Sequence, residues 1–237
     1  ENELWQGNSN VKKILNELNL FGVQQYKSLL LSVYFKMNDC FESALRIIRA
    51  ITFRYNVIGK LNPNELEKAY NRTAIKVYNG TISTPRQIQQ ELRDVYVDDE
   101  SFRNFFSTKS FDTSKTKDKK IIRYILLSIE NQKYNKDYHL FDTNVTIEHI
   151  FPENYMNTDE EIDEAMIYRL GNLTLLEPAM NRECGSKPFS QKIIVYRESQ
   201  YGITKELADY EDWNDDNIRN RQSELARIAT SIWNLPF

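Results

Sequence analysis

The apolar residues in the first half of the chain recur at helical spacing, and nothing else in the sequence limits the fold as much. Val11, Ile14, Leu15 and Leu18, then Tyr26, Leu29, Leu30 and Val33, fall mostly three or four positions apart. Each set lines one face of a helix and needs another element to bury it. Asn38 or Asp39 can cap a third helix, with Phe41, Leu45, Ile48, Ile51 and Thr52 on one face. Asn62-Pro63-Asn64-Glu65 is a start signal: Asn62 can accept from free backbone N–H groups, Pro63 has no N–H to satisfy, and Glu65 can reach back in a capping box. That helix is expected to end at Gly80. Ser83-Thr84-Pro85 starts another through Ile88, Leu92 and Val95, and a further one carries Ile121, Ile122, Tyr124, Ile125, Leu126 and Ile129. Sheet-rich folds need many tight turns, and 7 glycines with 6 prolines in 237 residues supply few. The expected fold is mainly α, with residues 1–140 a helical domain. Its Tyr and Phe residues sit at helical spacing and read as core rather than as a base-stacking surface.

The pattern changes near Phe141. Val145 to Ile150 is β-prone and alternates as a short strand does. Asp159–Leu170 reads as helix, Asn172–Leu176 as a second short strand, and Pro178–Gly185 as a turn or short helix. Phe189, Ile193, Ile194 and Tyr196 suggest another helix. Ile218–Trp233 suggests a longer one, with Leu225, Ile228, Ala229 and Ile232 inward. A boundary between Asp137 and Asn144 follows, giving domains 1–140 and 141–237.

Charge narrows the partners little. The formal net charge is −3, whereas a general nucleic-acid coating protein is basic. Phosphate contacts depend on local patches, however. Lys109, Lys115, Lys117, Lys119, Lys120 and Arg123 form one patch, and Lys187, Lys192 and Arg197 a weaker one. Acidic runs at Asp98-Asp99-Glu100, Asp159–Glu164 and Glu206–Asp216 offset them. Each run taken alone reads as a solvated face. Cys40 and Cys184 are far apart and form no CxxC pair, which argues against a zinc ribbon and fits a reducing cytoplasm. No apolar run is long enough for a membrane span, and no signal peptide is expected. The chain begins at Glu1 without a methionine, from which a longer protein with a further N-terminal module is expected.

The residues suited to chemistry gather after residue 144. The two histidines are His139 and His149. An imidazole is the side chain best suited to take a proton from water near neutral pH. Glu148 beside His149 offers a hard oxygen ligand, Pro152 stops the strand, and Asn172 and Asn181 supply two amides. That set serves phosphodiester hydrolysis, which needs a base for water and a cation for the charge on phosphate and leaving oxygen. A carboxylate with an amide oxygen suits Mg²⁺ or Mn²⁺ better than zinc. Neighbouring strand residues point to opposite faces, so Glu148 and His149 reach one centre only if the strand ends or twists there.

The segment resembles the HNH (His-Me finger, ββα-metal) nucleases, whose motif has an acidic residue, a histidine and a nearby proline, then Asn-Leu, then a His or Asn. It is most similar to the C-terminal nuclease domain of the GmrSD-type bacterial defence family, which includes SspE. The likeness lies in Glu148 to Pro152, Leu170 to Leu176, Asn181, Phe189 with Lys192, Trp213 and Arg221. Phe53-Arg54-Tyr55 and Asn62 to Leu66 resemble the helical part that precedes this domain. The resemblance implies a small ββα nuclease core with flanking helices after the helical domain. It makes His149 the general base, Glu148 and Asn181 the metal ligands, and Asn172 the holder of the His149 ring. Arg182, Lys187, Lys192 and Arg221 become candidate phosphate contacts. It implies cleavage or nicking of foreign or modified double-stranded DNA, with Mg²⁺ or Mn²⁺ as cofactor. The family's N-terminal NTP-binding and sensing module is not visible here, and no Gly-rich phosphate loop appears. The other reading is a catalytically inactive HNH fold that binds DNA or protein. An unperturbed imidazole would give activity rising between roughly pH 6 and 8.

Overall fold

A computed structural model describes residues 8–154 and 162–235. The chain is mainly helical with one two-stranded antiparallel sheet, and it divides into two compact units, 1–102 with 233–237, and 103–232. The divide falls between Phe102 and Arg103 rather than at the expected 140/141. The cause is the helix Thr116–Tyr134, which packs on both strands of the sheet and on the long helix Asp215–Ile232, so it belongs to the second unit.

In the first unit, helices α1 (Ser9–Phe21), α2 (Lys27–Lys36), α3 (Phe41–Thr52), α4 (Pro63–Tyr78) and α5 (Pro85–Glu91) bury the stripes read from the sequence. Asn8 caps α1 by accepting from Val11 N at 3.1 Å. Asn62 caps α4 by accepting from Asn64 N. The capping box expected at Asn62 is not completed, because the Glu65 carboxylate instead pairs with Lys68 one turn on, at 2.9 Å. A capping box does form at Thr84 and Gln87. One element has no sequence signal: α3 continues as a π-helical turn over Phe53–Ile58. There the buried Arg54 guanidinium donates to Trp233 O (2.7 Å) and Val97 O (2.8 Å), and the Phe53 ring stacks on Trp233 at 3.9 Å.

In the second unit, α6 (Asp99–Ser107, shared with the first) leads to α7 (Thr116–Tyr134) and then to β1 (Thr146–His149). A connection containing α8 (Glu164–Ile167) returns the chain to β2 (Leu173–Leu176). The expected helix from Asp159 is described only over Glu164–Ile167. Its start, and Asp159 to Glu161 of the acidic run, lie outside the described residues. In the sheet, Thr146 faces Leu176 and His149 faces Leu173. α9 (Pro178–Cys184) follows β2 and packs on β1, completing a β–β–α unit. α10 (Phe189–Glu198), α11 (Gly202–Lys205) and α12 (Asp215–Ile232) surround it. The core beneath holds Ile150, Phe151, Leu176, Phe189, Tyr196, Trp213 and Ile218, all buried.

α12 approaches the entry to β2 so closely that a Cβ on Gly171 would lie 2.2 Å from Ile218 O. Arg221 uses this approach to donate to Gly171 O (2.7 Å) and Leu173 O (2.8 Å). Gln222 accepts from Gly171 N at 3.1 Å and donates to Phe106 O and Lys109 O. Two buried side chains thus satisfy backbone groups that a two-stranded sheet leaves open.

Candidate active site

β1 is four residues long and ends at His149. Its alternation decides the site, because His149 and Glu148 turn to different partners. The His149 ring lies against Tyr168, edge-on at 6.1 Å, and its Nε2 is 3.4 Å from the Thr113 hydroxyl. Burial pushes the imidazole down to about 4, helped by the charges of Lys192 and Lys119 and opposed by Glu153. The ring is therefore neutral at pH 7 and holds a lone pair able to take a proton. It is a weaker base than a free imidazole, and the activity rise expected between pH 6 and 8 moves to lower pH.

Glu148 faces the other way, into the interior. Its Oε1 accepts from Lys192 Nζ at 2.6 Å and from Tyr196 OH at 3.1 Å. Burial pushes the Glu148 carboxyl above its usual range, against the pull of Lys192. Lys192 also donates to His149 O (2.7 Å) and Ile150 O (3.3 Å). It sits with no exposed surface, at 0 %, so it is a brace for the end of β1 and not the phosphate contact expected from the sequence. Arg221 is corrected in the same way. It is 5 % exposed and committed to Gly171 O and Leu173 O, which leaves it no path to a phosphate in solution.

Asn172 does not hold the His149 ring. Its Oδ1 accepts from Phe151 N (2.8 Å) and Trp213 Nε1 (2.9 Å), and its Nδ2 donates to Phe151 O (3.0 Å) and Ile167 O (2.9 Å). Two acceptor and two donor sites are the full capacity of an amide, so none remains for the imidazole. Asn172 O also accepts from Ile150 N at 2.9 Å. The residue fixes the turn that follows His149, and reaches the ring only through the backbone.

Asn181, on α9, donates from Nδ2 to Ile147 O at 3.1 Å. Its Oδ1 has no hydrogen-bond partner among the described residues and remains a hard oxygen donor. A divalent cation shared by Glu148 and the His149 centre does not fit this arrangement. Glu148 turns away from the imidazole, and an ammonium already neutralises it. Among the described residues there is no group of three or more His, Cys, Asp or Glu that could hold a metal ion. Arg182 and Lys187 are exposed beside Asn181, on α9 and in the loop after it, and make no ion pair among the described residues.

Sequence reasoning missed Thr113 and Tyr168, which contact the imidazole, and Trp213 as the partner of Asn172. A tight local signal was present for Lys192 and Arg221. Lys192 lies three positions after Phe189 and four before Tyr196, and Arg221 three after Ile218 and four before Leu225. Both therefore fall on the buried stripe of their helix. Thr113 and Tyr168 come from loops and segments far apart in sequence, and no spacing announces them.

Residues 96–228, more than half of the chain, match the family described as GmrSD restriction endonucleases, C-terminal domain. No curated protein matches the chain.

Proposed function

The chain belongs to the GmrSD restriction endonuclease family through its C-terminal domain, and we propose that it hydrolyses DNA phosphodiesters with neutral His149 as the general base. The observation that carries this reading is the β–β–α unit with an uncharged imidazole at the end of its first strand. On that basis we assign the domain to the HNH, or His-Me finger, type. His149 takes a proton from a water as its oxygen attacks phosphorus, and the leaving sugar oxygen takes a proton from solvent. Asn172 and Lys192 act on the backbone on either side, so that the ring is already placed when substrate arrives. Arg182 and Lys187 supply phosphate contacts.

A Mg²⁺ or Mn²⁺ requirement is the second part of the proposal. The uncommitted Oδ1 of Asn181 supports it, and the ion pair of Glu148 does not. A bound cation would supply positive charge to the phosphate oxygens. The substrate is taken as double-stranded DNA of foreign or modified type. The partner is an NTP-binding sensor module, which co-purification with this chain would test. No helix among the described residues is long and apolar enough to cross a membrane, in keeping with the proposed cytoplasmic setting.

The test is relaxation of supercoiled plasmid by the parent and by His149→Ala, each with Mg²⁺, Mn²⁺ or a chelator. Equal cleavage by both proteins would sink the general-base assignment. The commitment of Glu148 to Lys192 favours one other reading, a DNA- or protein-binding module without activity. Metal-independent DNA binding with no cleavage in any cation would establish that reading instead.

A further inference from the structure

Two of the expected phosphate contacts, Lys192 and Arg221, are buried, yet a phosphodiester at His149 brings negative charge that something must meet. α7 runs beside β1. Arg123 anchors that approach by donating to Val145 O, the residue before the strand, at 3.5 Å. Lys119 lies four positions earlier in α7, so it shares the face of Arg123, one turn toward the helix start. The loop just before α7 delivers Thr113 to within 3.4 Å of His149 Nε2. Helix and strand therefore run in opposite senses, with the first turns of α7 beside the His149 end of β1. The charge of Lys119 is felt at the imidazole.

The neighbours have the right freedom. The side chains of Lys117, Lys119 and Lys120 are exposed and make no hydrogen bond or ion pair among the described residues. Lys115 differs, being tied to Asp112 at 2.9 Å. Unpaired ammonium groups at the rim of a neutral base are what a polyanionic backbone requires, and they occur in a chain whose net charge is −3.

We propose that Lys119 forms the phosphate-binding wall of the His149 site and holds the DNA strand that is cut. The proposal rests on the nuclease reading and places the substrate on the α7 side of the imidazole. Lys119 is a binding residue.

The test uses the full chain. Binding of a short DNA duplex is followed by fluorescence anisotropy over a range of salt, in His149→Ala protein with and without Lys119→Ala. Lys119→Arg serves as rescue and Lys12→Ala, on exposed α1, as control. Loss of one phosphate contact weakens binding several-fold and lowers the slope of log K against log salt by about 0.9. Lys119→Arg restores both. Affinity and slope equal to those of the Lys12→Ala control overturn the proposal. Plasmid cleavage by protein with His149 intact reads the nuclease assignment separately. Cleavage with Lys119-independent binding overturns the wall alone. Absence of cleavage with Lys119-dependent binding overturns the nuclease reading and leaves the wall as a DNA-binding surface.

Discussion

Replacing Lys192 by methionine keeps the length and apolar stem of the side chain and removes only its charge and donors. The structure sets the cost. Nζ is 2.6 Å from Glu148 Oε1, 2.7 Å from His149 O and 3.3 Å from Ile150 O, and the residue is wholly buried. Breaking a buried ion pair from one side costs about 3–5 kcal/mol, because the partner charge stays buried and unpaired. The two carbonyls add on the order of 1 kcal/mol if water cannot reach them. The expected loss is about 4–6 kcal/mol, read by urea denaturation at pH 7. The loss also has a definite pH dependence. A carboxyl whose folded pKa is raised favours folding below its unfolded pKa and opposes it above the folded one. Without Lys192 the Glu148 pKa rises further, so the deficit is largest near neutrality and shrinks as pH falls toward 4.5. Adding Glu148→Gln removes the orphaned charge and recovers part of the loss. A deficit under about 1 kcal/mol, unchanged with pH and indifferent to Glu148→Gln, would refute the bracing role.

Arg221→Gln is expected to lower stability by about 2–3 kcal/mol, as carbonyls of Gly171 and Leu173 lose charged donors; thermal denaturation reads this, and the salt slope of DNA binding should not change. Gly171→Ala forces a Cβ to 2.2 Å from Ile218 O and should cost about 1–3 kcal/mol as α12 is displaced, a figure that a neutral melting curve would contradict. The lowered pKa of His149, about 4, makes the neutral ring a stabilising feature above roughly pH 6.5 that is lost as pH falls toward 4. The stability of His149→Ala should accordingly fall less than that of the parent between those values, and parallel pH curves would rule the account out.

Helical periodicity in the sequence locates most of the elements, since an amphipathic stripe has one way to be buried. The strand pair Thr146–His149 and Leu173–Leu176 lies where alternation and β-prone residues place it. The motif residues were less legible. Joint action of Glu148 and His149 depends on the strand ending or twisting between them, and the pleat instead sends them to opposite faces. Lys192 and Arg221 were read by their charge, although their helical positions beside Phe189, Tyr196, Ile218 and Leu225 already put them inside. A buried cation is tolerated only where acceptors wait for it, and those acceptors (Glu148, and the carbonyls of His149, Gly171 and Leu173) come from other elements. The π-helical turn at Phe53–Ile58 and the division at residue 102 likewise depend on tertiary packing that local sequence does not encode.

The most direct test of the central claim is the pH profile of plasmid cleavage by the parent chain, with His149→Ala alongside. The parent should cleave with an acid limb well below pH 6.5, as burial of the imidazole requires, and His149→Ala should show no cleavage above background. Cleavage retained without His149, at any pH, would contradict it.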